Sequence, residues 1–184
     1  MADEGDEIEK FKATNGRVMG LIGLAVALLV AVLAVVSGVS AATVAVVVGC
    51  VLAGVVVWVV LLRPAARVEG PDLVLRGPLD TRWIPLAAID RVAVGSILVV
   101  LVGGRRYSNT AVHRSRRDSR RDDKLGADVV QRSYGAYVES RIERLVADAR
   151  AAGRPAGDVR REWAWPEIAA LVVLGVAFVV ALVV

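Results

Sequence analysis

Two stretches of the chain, Val18–Ser37 and Val44–Leu62, are apolar on every side and carry no charged residue. A third, Pro166–Val184, carries a single charge, Glu167, in its first turn. At 1.5 Å per residue each run reaches about 30 Å, the thickness of a bilayer's hydrocarbon core. Three membrane-spanning helices are therefore expected. The first two are joined by the short, small-residue link Gly38–Thr43 into a tight hairpin. Pro166 suits a first helical position, whose N–H would have no partner in any case. Glu167 there complements the helix N-terminus and can stay at headgroup depth.

Between the second and third runs the pattern changes to a period of two. Ala66–Glu69, Asp72–Arg76, Thr81–Ile84, Arg91–Val94, Ile97–Val102 and Arg105–Asn109 read as short strands, rich in β-branched residues. Gly77-Pro78-Leu79-Asp80 and Gly103-Gly104 punctuate them as turns, and Pro85–Ile89 as a corner. That is an antiparallel meander of five or six strands. The period then lengthens. Val130, Tyr134, Tyr137, Val138, Ile142, Leu145, Val146 and Ala149 recur at three and four, which predicts an amphipathic helix over roughly Gly126–Ala152, stopped by Gly153 and Pro155. Its apolar face needs a partner, for which the sheet is nearest and a membrane surface second.

Composition agrees with this division. Of 184 residues 56% are hydrophobic but only 5% aromatic, so Val, Ala and Leu supply the excess. The net charge of +4 matters less than its distribution. Every Lys and Arg lies before Val18 or between Arg63 and Trp165. Lys10, Lys12 and Arg17 flank the first span, Arg63 and Arg67 follow the second, and Arg160 and Arg161 precede the third. The hairpin link has none. The positive-inside rule then places the N-terminus and 63–165 in the cytoplasm, and the link and C-terminus outside. Trp58, Trp163 and Trp165 are expected as interfacial anchors. The first span is expected to stay uncleaved, because its apolar core exceeds that of a signal peptide and acidic residues precede it. Gly23, Ala27 and Ala31, and Ala45, Gly49 and Ala53, recur every four residues and predict a close-packed seam between the first two helices. Ala177 and Ala181 form a shorter ridge in the third.

Candidate chemistry is sparse. The one cysteine, Cys50, lies in an apolar run, and the one histidine, His113, lies beside arginines, so neither a disulfide within the chain nor a Cys/His metal site is expected. Asp80, Asp90 and Glu69 stand alone at turns, and Ser108 has no base unless His113 is near. No catalytic residues, cofactor or metal are expected. Trp83 and Tyr107 read as core residues. The strongest binding feature is HRSRRDSRRDDK, in which Arg114, Arg116, Arg117, Arg120, Arg121 and Lys124 fall within eleven residues. Held near an anionic leaflet, each would contribute about 1 kcal/mol of attraction. Asp118, Asp122 and Asp123 offset half of that charge, so a solvated linker is the competing reading. No aromatic is interleaved for base stacking, and nucleic acid is not an expected partner.

The segment VLRGPLDTRWIPLAAIDRVAV, entered through Leu62-Arg63-Pro64 and followed by GGRRY at Gly103–Tyr107, resembles the pleckstrin-homology-like domains of small actinobacterial membrane proteins. The resemblance covers about Leu62–Asn109. It implies a bent seven-stranded sheet closed by one C-terminal helix, with Gly126–Ala152 as that helix and Thr110–His113 as a possible completing strand. The fold class expected is thus a membrane α part plus a small α+β domain. Its order is a disordered tail 1–17, a hairpin 18–62 with helices 18–37 and 43–62, a domain 63–152, a linker 153–165 and a third span 166–184. The expected protein is a non-enzymatic, multi-pass component of a bacterial cytoplasmic membrane. Its expected partners are membrane lipids and other membrane proteins, without a small-molecule substrate. The alternative is a sensor of anionic headgroups that uses the basic run.

Overall fold

The computed structural model describes residues 9–11, 16–112 and 133–183. They divide into two compact units, 16–63 with 163–183, and 9–11 with 64–162.

The helical unit has three helices long and apolar enough to cross a membrane: Val18–Val36, Ala41–Leu62 and Trp165–Val183. The first belongs to α1, Gly16–Val36. It ends at Gly38, whose φ of 114° is a backbone conformation that side chains with a Cβ rarely adopt. Ser40 then caps α2, Ala41–Val57, by accepting from the Thr43 amide at 3.2 Å. Thr43 in turn donates its hydroxyl to the Gly38 carbonyl at 2.6 Å. This cap starts α2 two residues before the expected 43, so the link is shorter than the sequence suggests. At the other end the helix widens into a π turn, Trp58–Leu62, closed by Arg63 N donating to Trp58 O at 2.9 Å. Pro64 has no N–H to extend it. α2 packs on both α1 and the third long helix, Trp165–Val183, here α4 as the last of four.

The second unit contains two antiparallel groups of strands and one helix. β1 (Glu9–Phe11), β2 (Ala65–Glu69), β3 (Asp72–Arg76), β4 (Asp80–Pro85) and β8 (Arg160–Trp163) lie in the order β1-β2-β3-β4-β8. The second group is β5 (Arg91–Val94), β6 (Leu98–Val102) and β7 (Arg105–Asn109), in that order. Leu73 faces Ile84 and Leu75 faces Arg82 across β3 and β4, and Val92 faces Val100 across β5 and β6. The β6–β7 hairpin turns on Gly103 and Gly104, both at positive φ, a geometry that glycine adopts without strain. Pro85 leads into a 3-10 turn, Leu86–Ala88, anchored where Leu86 N donates to Pro71 O.

The helix α3 (Tyr134–Ala151) is capped by Ser133 and turns Val138, Ile142, Val146 and Ala149 into the core formed by both strand groups. The sheet, not a membrane surface, is what its apolar face meets. Full burial of one such aliphatic side chain stabilises by about 1.5–3 kcal/mol. Tyr137 departs from the expected apolar face and is half exposed. The segment from 126 to 132, including Val130, lies outside the described residues.

Three expectations are corrected. Residues 1–17 are not wholly a disordered tail: Glu9–Phe11 is a strand on β2, and α1 begins at Gly16. Residues 153–165 are not wholly a linker: Arg160–Trp163 lies beside β4. Thr110–Val112 is not a strand but a bend that buries Ala111 and Val112. In the first two cases a strand of three or four residues is too short for a period of two to stand out.

Candidate functional site

The buried polar groups of the β unit cluster at places where the chain changes direction. Asn109, at the end of β7, is 4% exposed. Its amide nitrogen donates to the Arg76 carbonyl of β3 at 2.9 Å, and its side-chain oxygen accepts from Ala111 N at 2.7 Å. One side chain thus ties the two strand groups together and fixes the bend after β7. Asp80 opens β4 and accepts at Oδ2 from Arg82 Nε at 2.9 Å and from Arg161 Nε at 2.7 Å. The turn before it closes where Gly77 N donates to Asp80 O at 2.7 Å. A Cβ on Gly77 would stand 2.8 Å from Asp80 Oδ1, so a side chain there would have to displace the Asp80 carboxylate. Guanidinium groups also lie over rings, Arg82 over Tyr107 at 5.6 Å and Arg160 over Trp83 at 5.3 Å. Trp83 and Tyr107, expected in the core, are half-buried and serve as these platforms.

Three side chains of α3 hold neighbouring strands. Glu139 accepts from Val94 N at 3.2 Å, and Arg150 donates to Ile89 O at 2.6 Å, so the outer edge of β5 is held near both ends. A cleft of about 210 Å³ lies between these clamps, lined by Ile89, Val92, Glu143 and Val146 among others. Arg141 makes a two-pronged ion pair with Glu9 of β1, with Nε at 3.0 Å from Oε1 and Nη2 at 3.0 Å from Oε2. Donation of these hydrogen bonds to the Glu9 carboxylate is the largest cause holding the Arg141 pKa above its ordinary value.

In the helical unit, Arg63 Nε lies 2.9 Å from Glu167 Oε1, with side chains only 4% and 11% exposed. The carboxylate expected at a helix start is therefore matched by the arginine that ends α2. The seam between α1 and α2 runs along glycines. Gly16 and Gly20 approach Leu61 and Leu62, Gly23 approaches Val57, and Gly54 approaches Leu24. Ala27 and Ala31 are half-buried, as is Gly23. Ala45 is buried. Two seam residues are corrected. Gly49 faces α4, where an added Cβ would meet Phe178 at 2.8 Å, and Ala53 is exposed. A helix gripped on two sides cannot direct one four-residue ridge at a single neighbour. Gly16 and Gly20 extend the same spacing toward the N-terminus, and that spacing could have identified them. Trp58, Trp163 and Trp165 are all exposed, at 43%, 49% and 69%.

The basic run Arg114, Arg116, Arg117, Arg120, Arg121 and Lys124, with His113, lies outside the described residues. Among the described residues no group of three His, Cys, Asp or Glu side chains converges as metal ligands would. Sequence reading did not single out Glu9, Arg141 or Asn109. The first two are separated by most of the chain, and nothing local marks an Asn as buried. No family model matches this chain, and no curated protein or solved structure shows significant similarity to it.

Proposed function

We propose that the chain is a non-enzymatic integral membrane protein that presents a pleckstrin-homology-like module to the bacterial cytoplasm, as a scaffold or accessory subunit of a membrane complex. One observation carries this reading. Each long apolar helix continues, within at most four residues, into a strand of one sheet: β1 into α1, α2 into β2, and β8 into α4. Such short splices suit a module held at the bilayer rather than an enzyme domain swinging on a linker. Strands β1–β7 and the helix α3 equal the seven strands and one helix that the family resemblance implies, with β8 as an eighth strand beyond that pattern. The large exposed apolar surface of the three helices, such as Leu28, Val173 and Leu182, is what lipid or partner helices would cover. Affinity purification from membranes in mild detergent, read by native mass spectrometry, tests the role. Stoichiometric co-purification of another membrane protein is expected. Recovery of this chain alone at every expression level would overturn the proposal.

The six basic residues within 114–124 favour a second reading, a sensor of anionic headgroups. The full chain in nanodiscs should then retain anionic lipid in a salt-sensitive manner. Changing Arg116, Arg117, Arg120 and Arg121 to Ser should abolish that retention. Unchanged retention removes this reading.

A further inference from the structure

The sheet of the β unit is assembled from both sides of the hairpin. β1 precedes α1, and β2 follows α2, yet Glu9, Lys10 and Phe11 pair with Val68, Arg67 and Ala66. Phe11 belongs to the same buried cluster as Ala66, Val68 and Ile142. Glu9 is gripped by Arg141 of α3. β1 is therefore joined to the domain by backbone, core and charge at once.

The connector from Phe11 to the start of α1 at Gly16 is residues 12–15. The five Cα–Cα steps from Phe11 to Gly16, fully extended, span at most about 18 Å. A hydrocarbon core is about 30 Å thick. If the start of α1 and the end of α2 emerged on opposite sides of a bilayer, β1 could not reach β2. We propose that Glu9–Phe11 is a topology lock. It completes the domain only when both ends of the α1–α2 hairpin lie on the same side, and once paired it resists inversion of the first span. This rests on the membrane-spanning reading above.

The lock can be tested in the full chain, in membranes, on a Cys50→Ala background that removes the native thiol. First, Lys10→Cys with Arg67→Cys, partners in register, should form a disulfide that migrates as monomer. No cross-link, or one found only between two chains, overturns the lock in either orientation of the protein. Second, Val39→Cys in the exposed link reports which side the link occupies, by labelling with a membrane-impermeant maleimide. Adding Ala41→Lys and Ala42→Lys charges the start of α2 beside the link and pulls that end inward. With the lock intact, labelling should hold. With Phe11→Ala it should fall at least threefold. Glu9→Gln leaves the aromatic ring in the core and should give an intermediate loss. Equal loss in all backgrounds overturns the lock. If Val39→Cys is unlabelled before any charge is added, the proposed topology fails independently of the cross-link and takes the lock's membrane role with it.

Discussion

Asn109 shows how one residue can decide whether two strand groups meet. Both of its side-chain hydrogen bonds go to backbone groups, one in another strand and one two residues on. Replacing it with Leu would keep the volume but remove the bond to the Arg76 carbonyl and leave the buried Ala111 amide without its acceptor. Each buried, unpaired group costs about 1–3 kcal/mol. Asn109→Leu should lower the stability of the β unit by about 1–3 kcal/mol, read as an earlier urea midpoint by tryptophan fluorescence. Asn109→Asp keeps the acceptor for Ala111 and opposes an oxygen to the Arg76 carbonyl, so it should also destabilise. A neutral Leu variant would mean that water replaces both bonds. Arg63 and Glu167 pose the converse case. Removing one partner of a buried pair costs about 3–5 kcal/mol, whereas replacing both partners with apolar groups is often neutral. Glu167→Ala should therefore lower the thermal midpoint more than the Arg63→Met, Glu167→Met double variant does. Additive losses would show that the two side chains act separately. Arg141 offers no pH switch. A base whose folded-state pKa is raised contributes fully below its unfolded value and loses that contribution only above it. For an arginine that window is far more alkaline than about pH 6–9, so this contribution is constant there.

At the scale of elements, the period of the pattern was the reliable guide. Asp72–Arg76 is a strand over its whole expected length because Leu73 and Leu75 share a core-facing side and the Gly77 N to Asp80 O bond closes the turn after it. The long helices were legible because nothing polar interrupts them. The details at their ends were not. Ser40 capping and the π turn before Pro64 are local backbone bonds that hydropathy does not mark, and the strands at 9–11 and 160–163 depend on partners far along the chain. The small-residue seam was half legible for a similar reason: four-residue spacing identifies a ridge but not the helix it meets. Gly49 and Ala53 make the difference measurable. Gly49 lies under the Phe178 ring, and Ala53 faces outward. Gly49→Val should displace α4 and lower the thermal midpoint in detergent, and Ala53→Val should leave it unchanged. Equal effects would place both residues on the same interface and contradict this packing.

For the whole molecule, the decisive arithmetic is parity. If all three long helices cross, as the proposed role requires, the segments before α1 and after α4 lie on opposite sides, and the pairing of β1 with β2 keeps residues 9–11 with the domain that follows α2. Which side is which depends on charge. Arg63, Arg67, Arg160 and Arg161 flank the domain, and the link at Gly38–Ser40 has no charge to hold it inside. A translocated domain would carry those arginines, and the six of the basic run, across the bilayer. Alkaline phosphatase fused after Val184 should therefore be active, because it reaches the oxidising outer compartment, and a fusion after Asn109 should be inactive. Green fluorescent protein at the same two positions should give the opposite pattern. Strong phosphatase activity after Asn109 would place the arginine-rich domain outside and invert the map. The strand pairing would survive that result, since it requires only that residues 11 and 65 share a side. The scaffold role would not, since it needs the module on the cytoplasmic face.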